Sequence, residues 1–310
     1  MANENFIRLK HFDLMREGMF FLGQHLYLEI PPNHSLSRDV LLDEGILIQR
    51  REVQRGQDSG ECLLVLEPHP DDFALSCSGF VLDRLGKGDN MTLLNIFSKS
   101  PLSTFPWSSR VSITEEEYES LRLYESRTVA DYLGVGFRSL RLPLGLKRGH
   151  KTPFGSLTER DRQVVDEVYG LLCDEIPAHS SCIAPLGIQH HVDHLVAYEV
   201  ALRIKKSFPD VGFFLYEDLP YAKNRVAYQR RFEEVSTQVS LRPLYTPVGN
   251  LLEIMADLAS VYRSQFDDIN RNQMLALVQD YARTVAQEGR MEGHVGDEEF
   301  AQRVFEVDLI

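Results

Sequence analysis

Two short segments of the chain concentrate groups that bind metals and move protons. His69, Pro70, Asp71 and Asp72 put an imidazole and two carboxylates into one turn. His191, Val192, Asp193 and His194 add two more imidazoles and a third carboxylate. A catalytic zinc usually takes three ligands from His, Asp or Glu and keeps one position open for water. Two histidines and one carboxylate drawn from these segments satisfy that requirement. The surplus carboxylate and histidine are then free for proton transfer. Such an ion lowers the pKa of water to roughly 7, within reach of a nearby carboxylate base. The same donor set suits iron, so Zn²⁺ and Fe²⁺ both fit.

For this chemistry the two segments must meet, and the surrounding pattern provides for it. Residues 62–68 form a continuous apolar run, as expected of a strand buried on both faces of a parallel sheet. The run ends directly in His69. A helical pattern follows, with Leu75, Gly79, Leu82 and Leu85 on one side, and Gly86 and Gly88 stop it. Further strands are predicted over 91–98, 138–144, 181–187 and from 211. Helices are predicted over 115–136, 159–176 and 191–208, with two or three more to about 288 and a charged, Gly-punctuated tail after them. Strands alternating with helices imply right-handed βαβ units, hence an α/β fold with a mostly parallel sheet covered on both faces. Ligands in such folds sit at the carboxyl ends of strands. Both histidine segments follow predicted strands, so both fall at that edge.

Composition narrows the partners. The 310 residues carry 46 acidic and 33 basic side chains, a formal charge of −13. No basic stripe marks a nucleic-acid surface. No segment reaches the ~18 apolar residues of a membrane span, and the N-terminus lacks the pattern of a secretory signal. Cys62, Cys77, Cys173 and Cys182 show no CxxC spacing and read as small hydrophobes in a reducing, cytoplasmic setting.

HPDD after a buried strand, followed later by APLG and HVDH, resembles the LmbE/PIG-L family of zinc N-deacetylases. The resemblance runs from about Cys62 to about Leu219, with a fainter echo in residues 262–265. It implies a Rossmann-like core over 61–245, an N-terminal extension over 1–60 packed on it, and a helical segment and tail over 246–310. It also implies the roles. His69, Asp72 and His194 match metal ligands, and Asp71 matches the general base. His191 matches a protonated histidine that stabilises the oxyanion and acts as acid, with Asp193 orienting it. The expected activity is hydrolysis of an N-acetyl or other N-acyl group on an amino sugar or natural-product amine, with one Zn²⁺ per chain.

The family pattern commonly has Glu after HPDD, where this chain has Phe73, read here as pocket lining. Lys147, Arg148 and His150 stand where relatives often carry an acidic residue. They either solvate a loop or, with Arg148 foremost, favour an acidic substrate. Arg122, which with Glu125 matches a family Arg-x-x-Glu, and Glu217 with Asp218 at the end of the fifth strand are further substrate-contact candidates. The extension and the tail are candidates for a lid or a homo-oligomer contact. A non-catalytic, metal-containing carbohydrate- or small-molecule-binding protein is the rival reading; the base and acid candidates Asp71 and His191 argue against it.

Overall fold

The computed structural model describes residues 51–310 apart from 101–113, 175, 177–179, 263 and 267–270; before residue 51 it describes five short strands. These are β1 Phe6–Arg8, β2 Phe12–Arg16, β3 Met19–Leu22, β4 His25–Glu29 and β5 Leu47–Gln49. β1 pairs with β5, and β2, β3 and β4 form a small antiparallel sheet. The lid or oligomer role expected for residues 1–60 rests largely on residues outside those described.

The central sheet has seven strands: β6 Cys62–Glu67, β7 Asn90–Lys99, β8 Gly136–Pro143, β9 Ser180–Pro185, β10 Gly212–Tyr216, β11 Val239–Pro247 and β12 Ala301–Leu309. Their order is β11-β12-β10-β9-β6-β7-β8. β8, β7, β6, β9 and β10 run parallel, and β12 is antiparallel to both its neighbours. The run of apolar residues in β6 is explained by its central place, since it has helices over both faces. From β6 the chain moves outward through β7 to β8. It then returns to β9 on the other side and continues to β10. The order therefore reverses between β6 and β9, which opens a crevice at their carboxyl ends.

The helices are α1 Asp72–Ser76, α2 Ser78–Gly86, α3 Glu115–Leu133, α4 Glu159–Cys173, α5 Val192–Ser207, α6 Arg225–Ser236, α7 Leu252–Ser260 and α8 Arg271–Met291. One apolar cluster packs α1, α2, α3 and α7 on one face of the sheet. A second packs α4, α5 and α6 on the other. The two clusters supply the hydrophobic driving force that holds the crevice open between fixed walls. Among the described residues, no helix is long and apolar enough to cross a membrane.

Two sequence expectations change here. The single helix expected after HPDD breaks at Cys77, whose φ of −140° and ψ of 11° leave the helical region. The charged tail expected after the helices contains a strand, β12, which inserts between β10 and β11. One of its charges is absorbed by a partner: Arg303 is buried against Glu217, donating from Nε at 2.7 Å.

Candidate metal centre

The sharp turn after β6 gives the site its first half. Asp71 sits in the left-handed region at φ 115°, a conformation that Asp tolerates better than most side chains. The buried Glu67 accepts its backbone N–H at 3.2 Å. One residue on, α1 begins, and Asp72 folds back so that its Oδ2 accepts the backbone N–H of His69 at 2.7 Å. The adjacent carboxylates thereby point in different directions.

The second half comes from β9 and α5. His191 is the N-cap of α5, and His194 lies three residues on, on the same side of the helix. The turn before α5 is strained, with Gln189 at φ 58° and His190 at φ 56°. Asp218, at the end of β10, secures it by accepting the backbone N–H groups of Gly187 and Ile188 at 2.8 and 2.9 Å. The segment before α4 docks here as well: Val192 N–H donates to Pro153 O at 2.8 Å and Gly155 N–H to His190 O at 3.0 Å.

Across the crevice three atoms converge. His69 Nδ1 is 3.3 Å from Asp72 Oδ2, His194 Nε2 is 3.3 Å from the same oxygen, and the two nitrogens are 3.3 Å apart. A tetrahedral ion with ligand bonds of about 2.0–2.1 Å has ligand–ligand edges of about 3.3–3.4 Å. The far side of each ring explains which atom is offered. His194 Nδ1 donates to Asp218 at 2.6 Å and His69 Nε2 donates to Asp193 at 2.8 Å. A carboxylate holding the proton on one ring nitrogen leaves the other as a lone pair. Two lone pairs and a carboxylate oxygen facing one point form a donor set that fits a divalent cation. His191 also has a ring nitrogen within 4.8 Å of those of His69 and His194, but the Asp72 set is the tighter.

The electrostatics agree. Burial works against the charged form of Asp72, but His194 and His69 hold its carboxyl far below the usual range. Burial likewise opposes charging of His69 and His194, and the surrounding carboxylates outweigh it, so both rings titrate above their ordinary value. Asp71 differs. Burial and the neighbouring charge of Asp72 lift its carboxyl to about 7, against the pull of Arg122, His69 and His194. The Arg122 guanidinium lies 3.8 Å from Asp71 Oδ1 and donates to Pro70 O at 3.3 Å. His191 is pushed well below its ordinary value by burial and by its two histidine neighbours. Its Nδ1 is buried without a partner among the described residues.

Asp71, Asp72, His69 and His191 open onto a cavity of ≈370 Å³. Arg122, Tyr118, Gln265 and Ser100 add polar wall, while Leu144, Leu146, Leu219, Pro220, Tyr221 and Phe266 make the rest largely apolar. Tyr118, Tyr221 and Gln265 are wall residues that sequence reasoning does not single out by role. Gln265 does end the 262–265 echo, and it donates to Tyr118 OH at 2.7 Å, so that faint signal marks a piece of cavity wall.

Several expected roles move. Asp193 does not pair with His191; its carboxylate is taken by His69, by Gly145 N–H at 3.0 Å and by Arg148 at 2.7 Å. Arg148 is no substrate contact, because its side chain is fully buried between Asp161 and Asp193. Phe73 faces the core with no exposed surface rather than the cavity. Glu217 is committed to Arg303 and Tyr281. Asp218 supports His194 and the strained turn. For His191, burial and the neighbouring histidines disfavour the protonated form that the expected role calls for. Arg122 does reach the cavity, and its companion Glu125 instead accepts the backbone N–H of Ser264 at 2.8 Å.

A mostly parallel α/β sheet with a two-histidine, one-carboxylate cluster at its switch point defines a class of site that can hold a divalent cation. Comparison with known proteins specifies it further. Residues 64–205 match the family model described as PIG-L, GlcNAc-PI de-N-acetylase. The chain is 30% identical over 229 residues to 2'-N-acetylparomamine deacetylase of Streptomyces fradiae, covering 71% of this chain and 77% of that protein. It belongs to the PIG-L (LmbE-like) family. Among solved structures, a zinc-inhibited form of the teicoplanin deacetylase Orf2 superposes with a TM-score of 0.59 at 17% identity, over 80% of this chain and 98% of that one. The A40926 pseudoaglycone deacetylase Dbv21 superposes with 0.56 at 20% identity, over 80% and 97%. Both share the fold.

Proposed function

We propose that this chain is a metal-dependent N-deacetylase that hydrolyses an N-acetyl or other N-acyl group on an amino sugar or natural-product amine. The observation that carries the reading is the triangle of His69 Nδ1, Asp72 Oδ2 and His194 Nε2, each 3.3 Å from the others, with Asp71 and His191 beside it on one cavity. Family membership and the activities named for the relatives support it, 2'-N-acetylparomamine deacetylation foremost. Zn²⁺ is the ion this donor set suits best, with Fe²⁺ second.

His69, Asp72 and His194 would hold the ion. Bound there, it supplies Lewis acidity, which polarises an acyl carbonyl and makes water acidic near neutral pH. Asp71 is the proton acceptor. Its carboxylate is not spent on the ligand triangle, and Arg122 favours its charged form. It removes a proton from the attacking water and, once protonated, can pass that proton to the amine nitrogen as the C–N bond breaks. His191, whose charged form is disfavoured by burial, presents an N–H to the acyl oxygen as negative charge develops there, a task for a preorganised donor. The apolar walls flank the reacting atoms, and Arg122 and Gln265 are placed to meet substrate hydroxyls.

The test is metal content together with acetate release. Purified protein loaded with Zn²⁺ is expected to hold about one ion per chain, to lose it in His194→Ala, and to release acetate from a panel of N-acetylated amino sugars and aminoglycosides. Metal binding with no release from any N-acyl amine would leave the binding-protein reading. No metal in well-folded, reconstituted protein would sink the hydrolase.

A further inference from the structure

We propose that Arg148 is a positioning residue of the metal site, fixing Asp193 and, through Asp193, the ring of His69. The proposal rests on the metal reading given above. Arg148 lies at the end of the short turn 145–148 that follows β8, and its side chain is fully buried. A buried guanidinium is costly unless it is paired and hydrogen-bonded, and here Nε and Nη1 are matched to two carboxylates. Nε donates to Asp161 Oδ1 at 2.7 Å. Nη1 donates to Asp193 Oδ1 at 2.7 Å and to Pro143 O at 2.8 Å. The group lies over the Phe97 ring, with its central carbon 4.6 Å from the ring centroid.

Each carboxylate oxygen then has an assigned task. Asp161 is the third residue of the α4 capping box. Its Oδ2 accepts from Thr158 N–H at 2.7 Å and pairs with His150 Nε2 at 2.7 Å, leaving Oδ1 for Arg148. Asp161 is thus locked to the start of a helix and cannot follow Arg148 if the guanidinium moves. On the other side, Arg148 and Gly145 N–H pin Asp193 Oδ1, which leaves Oδ2 to receive His69 Nε2–H. The chain Asp161–Arg148–Asp193–His69 therefore anchors a metal-ligand ring to the α4 cap. A carboxylate behind a ligating imidazole fixes its tautomer and orientation, and losing such a partner typically costs about 10–100-fold in metal affinity. Arg148 lies outside the cavity lining and the ligand triangle, so its influence on His69 passes through Asp193, with a weaker packing route through Phe97, whose ring centroid is 6.5 Å from that of His69.

The experiment is a Zn²⁺ titration of metal-free protein against a chromophoric chelator, together with the visible absorption spectrum of the Co²⁺-loaded form. The variants are Arg148→Met, which keeps the stem and removes the fork, and Arg148→Lys, which keeps the charge but cannot bridge both carboxylates. In Arg148→Met the Zn²⁺ Kd is expected to rise about 10–100-fold with a changed cobalt spectrum, and in Arg148→Lys to rise severalfold. A purely structural role would lower the melting temperature and leave both metal readouts alone. Arg148→Met with a Zn²⁺ Kd within about twofold of wild type and an unchanged cobalt spectrum would overturn the proposal. If that variant does not fold, the same outcome in Arg148→Lys overturns it. Wild-type protein that takes up neither ion refutes the proposed function, whereas normal wild-type binding with indifferent variants refutes the Arg148 role alone.

Discussion

Asp71→Asn separates proton transfer from everything else the site does. Asn has nearly the same volume and tolerates the left-handed φ of 115°. The backbone N–H that Glu67 accepts is retained. None of His69, Asp72 and His194 is altered, so the triangle persists. What disappears is, among the described residues, the one carboxylate outside that triangle that both opens on the cavity and faces Arg122 at 3.8 Å. Loss of a general base costs typically about 10²–10⁴-fold, about 2.7–5.5 kcal/mol of barrier. Because the new amide can still hydrogen-bond the substrate or water, the loss is expected in kcat with KM little changed. The assay is acetate release by zinc-loaded protein at saturating substrate, with zinc content measured on the same sample. A variant that holds its metal and turns over within about tenfold of wild type would refute the assignment of Asp71 as base. The same substitution removes a carboxyl whose folded value of about 7 lies above its ordinary 3.8. In the metal-free protein that carboxyl costs stability as pH rises between those values, so Asp71→Asn apoprotein is expected to melt higher than wild type at about pH 8.

Protons compete with the metal for His69 and His194, both held above their ordinary 6.5. The Zn²⁺ Kd measured by calorimetry is therefore expected to rise as pH falls from about 8 to about 6, and a pH-independent Kd would contradict the ligand set. Glu125 is buried, and burial lifts its carboxyl to about 8 despite the two hydrogen bonds from Ser264. Its folded value exceeds its ordinary 4.5, so its contribution to stability falls as pH rises from 4.5 towards 8. Glu125→Gln, which can accept from Ser264 N–H and donate to its hydroxyl, is expected to lessen that decline in urea melts; an unchanged pH slope would refute it. Gly145→Ala would place a Cβ 2.4 Å from Val192 Cγ2, beside the N–H that Gly145 donates to Asp193. Overpacking of that kind costs about 1–3 kcal/mol, read as a lowered thermal midpoint, and an unshifted midpoint would show that the turn yields freely.

The parts of the site legible in the sequence are those carried by local signals. His69, Asp71 and Asp72 share one turn, His191 and His194 share one side of a helix start, and each group follows a strand. Parallel βαβ geometry then brings them together without further information. The place of Arg148 is not legible, because its partners Asp161 and Asp193 lie 13 and 45 residues away and a basic loop reads as solvated. Asp193 misleads for a related reason. Adjacency to His191 points to that ring, whereas the helix start turns its carboxylate to His69 across the crevice. Phe73 stands where the family pattern has a polar residue, which suggests lining. An apolar side chain at the second position of a helix under the sheet finds the core instead. In residues 301–309 the charges of Arg303, Glu306 and Asp308 mask a strand whose apolar members Val304, Phe305 and Val307 are buried.

That strand has a consequence for how the molecule is made. β12 follows every other described element in sequence, yet it lies inside the sheet and separates β10 from β11. During synthesis, the outer N–H and C=O groups of β10 stay unpaired until residues 301–309 have been made. The carboxylate of Glu217 waits likewise, first for the hydroxyl of Tyr281 and then for Arg303. An open strand edge of that kind invites pairing with neighbouring chains. The half-finished protein is therefore expected to lean on chaperones at the ribosome, and production in their absence to shift product into inclusion bodies while leaving the stability of the finished molecule untouched.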